Sequence, residues 1–249
     1  MQVLLAVSLI AQITTPPSFS DKGTFQKGTA ASTVDGTSHV SAERAQMNSL
    51  MIDHLRAWPE AQSGLRLIEG GSAGAAEVEF RKARFEPGLV LTDFLSGKVD
   101  QSAERLLRIS NENPKDLRLL PLLGESVGIA PTYSSKMLAR IAAISGAEPK
   151  NAEARFYLGM ALLKQDPPRV DAAMASFRSA AELDAKTTRP LLEIAKREDG
   201  KAAIETLEAA LKRDPKLAAA HYRLSLLYRQ AGEAEKSKEH MQRFRELKN

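Results

Sequence analysis

Apolar residues recur at spacings of three and four along most of the chain, the period of helices with one buried face. Sustained alternation of Val, Ile and Thr, the mark of half-buried strands, is absent. From about Ala73 onward the sequence is dominated by Ala, Leu, Glu, Lys and Arg, which favour helix. The clearest stretch is NAEARFYLGMALLKQ, Asn151 to Gln165, where Phe156, Leu158, Ala161, Leu162 and Leu163 make a helix apolar enough to pack on two sides. Asp166-Pro167-Pro168 stops it, because proline cannot continue the backbone ladder. A second helix is expected over about 170–183, with Ala173, Phe177 and Ala180 on one face. A small residue there lets two helices approach, and the large one fills the gap between them. Gly159 sits where the two helices of this pair should touch.

The same small-large-small face returns. Ala203, Leu207 and Ala210 mark another second helix, ended by Asp214-Pro215, and Ser237, Met241 and Phe244 mark a third after a turn at Gly232. The first helix of the last pair carries His221, Leu224, Ser225 and Tyr228. Upstream, Phe80, Leu106 and Ile141 take the place of the large residue, at intervals that scatter from 26 to 36 residues along the series. Such scatter is tolerated when each hairpin mainly contacts its neighbours. Pro121 is expected to kink or delay a helix, and a helix over 42–57 ends before Pro59.

These residues resemble the tetratricopeptide repeat family, whose signature is a Trp-x-x-Leu-Gly-x-x-Tyr first helix, an Ala-x-x-x-Phe second helix and a closing Pro. Arg155, Leu158, Gly159 and Leu162 match the first helix in part, as do His221, Leu224, Ser225 and Tyr228. Ala173 with Phe177, and Ala203 with Leu207, match the second. Pro114, Pro149 and Pro215 close repeats, and Ala185 replaces one. The Trp-like aromatic is missing throughout. The resemblance implies an all-α fold, a right-handed solenoid of about five or six antiparallel helix hairpins. The expected organisation is a signal peptide over 1–20, a leader over 21–40, a capping helix over 41–58, degenerate repeats over 59–150 and well-matched repeats over 151–249.

The first residues, MQVLLAVSLIAQITTPPSFS, hold an apolar run from Val3 to Ile10, too short to span a bilayer but suited to a secretory signal. The Gly-, Ser- and Thr-rich segment 21–40 lacks periodicity. A periplasmic or secreted location is therefore expected, with a cytoplasmic one as the alternative.

The formal charge is +4, and 201–249 carries 11 basic against 7 acidic residues, so the bias lies wholly in the last segment. That is sparse for a nucleic-acid binder. There is no Cys, which removes disulfides, thiolate metal sites and cysteine nucleophiles. Phosphate loops and His-Glu-x-x-His are absent. The four histidines are scattered, and His221 is expected to pack rather than bind metal. No catalytic residue, cofactor or metal is expected.

What the resemblance implies is protein binding: the first helices line a concave groove that takes peptides or partner helices. By resemblance, the groove residues are Glu153, Phe156, Met160 and Lys164, and then Tyr222, Leu226, Arg229 and Gln230. Phe156, Met160, Tyr222 and Leu226 stand where some relatives place Lys and Asn to clamp a terminal carboxylate, so that clamp is not carried over. The expected function is a non-enzymatic adaptor in an envelope assembly. The alternative is a cytoplasmic regulatory or nucleic-acid-associated module using the basic C-terminal hairpin. The last helix is expected to cover its own hairpin, with Met241 and Phe244 buried against Leu224, Leu227 or Tyr228, giving a monomer.

Overall fold

A computed structural model describes residues 47–248, which are helical and contain no strand. The expected signal peptide, the leader and the start of the capping helix lie outside these residues. The described chain divides into two units, ending and beginning at Ile109 and Ser110.

The first unit opens with α1, helical over 47–55, which ends before Pro59. Then come α2 (Gln62–Glu69), α3 (Ala73–Lys82), α4 (Glu86–Leu95) and α5 (Val99–Glu112), in whose last turn the division falls. Phe80 holds this unit together. Its ring is buried between α2 and α4, where a Cβ on Gly64 would come within 2.2 Å of it and a Cβ on Gly88 within 2.5 Å. Only glycine admits the ring on both sides. Between α4 and α5, the Arg105 guanidinium pairs with the buried Asp93 carboxylate and with Glu86, both at 2.8 Å. The two arginines around Glu86, Arg105 and Arg108, hold its carboxyl below the usual range despite the opposing cost of burial.

The second unit contains α6 (Leu120–Ser126), α7 (Pro131–Ala147), α8 (Ala152–Leu163), α9 (Val170–Leu183), α10 (Arg189–Ala195), α11 (Gly200–Arg213), α12 (Ala218–Gln230) and α13 (Ala234–Lys248). They pair as four consecutive hairpins, and α7 packs on α8, α9 on α10 and α11 on α12. With the two pairs of the first unit, the described residues form six hairpins. Pro121 delays α6: a 3-10 turn over Leu117–Leu119 precedes it and the proline falls in its first turn, where its missing N–H costs nothing. The Asn151 side chain caps α8 by accepting from the Ala154 N–H at 2.9 Å.

The small-large-small faces form the joints. Ala173, Phe177, Ala180, Ala203, Leu207 and Ala210 are all fully buried. A Cβ on Gly159 would lie 2.6 Å from the Phe177 ring, so the helices of this hairpin meet at that glycine. Tyr157 was not among the apolar positions read from the sequence, yet it is fully buried. It fills a slot left by Gly124 of α6, whose Cβ would meet its ring at 2.4 Å.

The last hairpin departs from expectation. No residue of α13 is buried, and Met241 and Phe244 are only half covered. Phe244 packs against Tyr222, with ring centroids 5.1 Å apart, rather than into the Leu224–Tyr228 core. That core is built with Ala195, Leu207 and Ala220, and no residue of α13 belongs to it. What ties α13 down is largely polar: Ser237 donates to the Ser225 carbonyl at 2.8 Å, and the rings of His221 and His240 meet through their Nδ1 atoms at 2.9 Å.

Candidate protein-binding site

Glu153, Phe156, Met160 and Lys164 follow one another along α8 at spacings of three and four, so they share one side of it. The structure gives them different neighbours. Glu153 is exposed and Met160 half-buried. Phe156 is buried and packs on Tyr157 and Phe177, with centroids 5.2 and 5.7 Å away. Its other face is covered by the Arg189 guanidinium, 4.2 Å from the ring centroid. Arg189 also donates to the Tyr157 hydroxyl at 3.2 Å. Burial nevertheless raises the Tyr157 pKa, against the pull of Arg189. Sequence reasoning missed Arg189 because it opens a helix of only seven residues.

Where α8 approaches α10, these residues enclose a cavity of about 220 Å³. Phe156 and Pro190 are apolar walls; Glu153, Asp184 and Arg189 bring charge of both signs to it. Arg213 of α11 holds the chain entering α10 by donating to the carbonyls of Asp184 and Thr187, at 3.2 and 2.9 Å. The cavity is smaller than the roughly 300–1,000 Å³ of a pocket for a drug-sized ligand. Its size suits a single side chain, and its mixed charge suits the donors and acceptors of a peptide backbone.

Lys164 is committed elsewhere. Its ammonium donates to the carbonyls of Gly124 and Glu125 and pairs with the Glu125 carboxylate, all at 3.0–3.1 Å. It thereby closes the C-terminal end of α6, where a cation is favoured by the helix dipole.

On α12 the other expected residues divide. Tyr222 and Arg229 are exposed and Leu226 half-buried, on one side of the helix. Gln230 instead lines a second, more open cavity of about 560 Å³ beside α11, with Ile204, Leu227, Glu205 and Glu208. There the Tyr228 hydroxyl donates to Glu208. Burial and that carboxylate push the Tyr228 pKa up to about 12.

His221 packs, as expected, but is also fixed by hydrogen bonds. Its Nε2 lies 3.1 Å from the Pro215 carbonyl, which can only accept, so Nε2 carries the proton. With a neutral His221 ring, its Nδ1 accepts and the His240 Nδ1–H donates. The His240 ring stacks on Tyr228 at 5.5 Å. Burial and His221 lower the His240 pKa. Among the described residues, no group of His, Asp or Glu is placed to hold a metal ion.

A family model described as tetratricopeptide repeat matches residues 138–187 and 195–246. No curated protein matches the chain. Among solved structures, one titled as the crystal structure of MamA is 16% identical, with a TM-score of 0.51, over 64% of this chain and 94% of that one. A second MamA structure is 15% identical, with a TM-score of 0.50, over 66% of this chain and 90% of that one. At these identities the likeness shows the fold alone. The two matched stretches contain α8, α9, α11 and α12 whole, with the end of α7, most of α13 and only Ala195 of α10, and over them the chain is similar to the tetratricopeptide repeat family.

Proposed function

We propose that the chain is a non-enzymatic scaffold that binds partner proteins along the first helices of its C-terminal hairpins. One observation carries the reading: the cavity between α8 and α10, floored by Phe156 and flanked by Arg189 and Glu153. A partner side chain enters the cavity beside the Phe156–Arg189 stack. The Arg189 guanidinium donates to a backbone carbonyl beside it, and the Glu153 carboxylate accepts from a backbone N–H. Tyr222, Leu226 and Arg229 extend the binding side further along the repeats, whereas Lys164 contributes by holding α6 to α8.

The partner is a subunit of an envelope assembly, and the support for that location is the apolar run Val3–Ile10 of the sequence. N-terminal sequencing of the protein from its host tests the location: a chain beginning near residue 21 supports it, and an intact Met1 defeats it. The groove is tested with peptides selected from a random display library on the full chain. Arg189→Ala and Glu153→Ala, both at exposed positions, should each weaken the selected peptide about tenfold, as loss of an anchoring contact does. Unchanged affinity in both variants would place binding elsewhere.

A further inference from the structure

We propose that the last hairpin, α12 with α13, presents a docking face for an acidic amphipathic helix of a partner protein. The proposal rests on the protein-binding reading and deepens it at Tyr222, Leu226 and Arg229, on a surface apart from the cavity at Phe156.

On α12, Tyr222, Leu226 and Arg229 stand at spacings of four and three and so share one flank. On α13, Met241, Phe244 and Lys248 do the same, with Arg245 beside them. The contact between the Tyr222 and Phe244 rings, at 5.1 Å, joins the two flanks into one face. Its apolar members are incompletely covered: Tyr222 is 39% exposed, and Leu226, Met241 and Phe244 are half-buried. The face runs along helices of 13 and 15 residues, a length of about 20 Å at 1.5 Å per residue. That length matches three to four turns of a facing helix, and an apolar seam between two helices is the ordinary ground for a third.

The charge around the face selects the partner. Within the hairpin, Lys236 pairs with Glu233, Lys238 with Glu235 and Arg243 with Glu246. Those pairs use three of its four carboxylates. Among the described residues, Arg223, Arg229, Arg245 and Lys248 are left without an ion-pair partner, against Glu239 alone. Unmatched cations bordering a partly exposed apolar seam attract a helix with an apolar stripe and flanking Glu or Asp, and repel one flanked by Lys.

The test uses the full chain and two synthetic peptides of about 20 residues, long enough to form helix. Both carry leucines at spacings of three and four; one has glutamate flanks, the other lysine flanks. Fluorescence anisotropy at low salt should show the glutamate peptide binding at least about tenfold more tightly, with the advantage shrinking as salt screens the charges. Arg229→Glu and Arg245→Glu, surface changes that leave the core intact, should each weaken it about tenfold. Lys201→Glu, an exposed change on α11, should not. Equal binding of the two peptides, or indifference to both arginine variants, overturns the proposal. So does a doubling of mass with concentration in light scattering that Phe244→Asp abolishes, because a second copy would then cover the face. Failure on any of these counts leaves the α8–α10 cavity reading standing, since its tests concern Glu153 and Arg189.

Discussion

Replacing Gly159 by alanine inserts a methyl group into the joint between α8 and α9. At ideal geometry that methyl lies 2.6 Å from Phe177 Cε1 and 2.8 Å from Cδ1. Comfortable carbon contacts are about 3.5–4.0 Å, so the ring must retreat by about an ångström. It has little room. Phe177 is fully buried, with Phe156 at 5.7 Å and the Arg197 guanidinium at 5.9 Å. Overpacking of this kind costs about 1–3 kcal/mol, while alanine recovers about 0.5–1 kcal/mol of helix propensity over glycine. The net expectation is a loss of up to about 2.5 kcal/mol.

Native-state hydrogen exchange resolved to α8 and α9 measures this without assuming that the two units unfold together. Gly146→Ala is the control: it lies in α7 with open space around its Cβ and should stabilise by about 0.4–1 kcal/mol. Phe177→Leu removes the ring the methyl strikes, so in the double variant Gly159→Ala should cost less than it does alone, a coupling of about 1 kcal/mol. If Gly159→Ala stabilises as much as Gly146→Ala, or the two changes simply add, the close approach at Gly159 is not what joins the hairpin.

Three further expectations concern other parts of the molecule. Arg105→Met leaves Asp93, which is 2% exposed, as a buried carboxylate without its cation; breaking such a pair costs about 3–5 kcal/mol, read as faster exchange in α4 and α5. Lys164→Met removes the charged donor from the end of α6 and should cost about 1–3 kcal/mol, seen as fraying of α6 rather than α8. For His240, burial and His221 lower the folded-state pKa below 6.5, so the unfolded chain takes up the proton first. The stability this histidine contributes is present above that value and is lost as pH falls through the interval below it. Lys236 on the same helix adds to that effect, while Glu239 and Glu208 oppose it. Protection of α13, corrected for intrinsic rates, should fall between pH 7.5 and pH 5.5, and His240→Gln should flatten the dependence; equal dependence in both proteins would remove the pair from the explanation.

The helix pairs were legible because their joints are local. Ala173, Phe177 and Ala180 lie within two turns, and prolines at 167 and 168 mark the preceding break, so α9 runs over the expected Val170–Leu183. The same reasoning failed at Met241 and Phe244. Periodicity reports that a helix has an apolar stripe, not that something covers it, and α12 meets α13 through His221, Tyr222, Ser225 and Tyr228, largely polar or aromatic groups. The site was less legible still. Lys164 has the spacing of a groove residue, but its partners lie about 40 residues away in α6, and nothing near it in sequence announces them. Tyr157 depends in the same way on the absent side chain of Gly124. Arg189 folds back over Phe156 from beyond an intervening helix, and its role follows from the stacking of hairpins rather than from any motif.

Site-specific photo-crosslinking in the native host tests the central claim most directly. A photoreactive amino acid is placed singly at Glu153, Met160 or Tyr222 on the first helices, and at Arg178 or Lys201 on the second helices. The account predicts that the same partner protein is captured from the first-helix positions and not from Arg178 or Lys201. Capture from Arg178 and Lys201 with none from Glu153, Met160 or Tyr222 would contradict it.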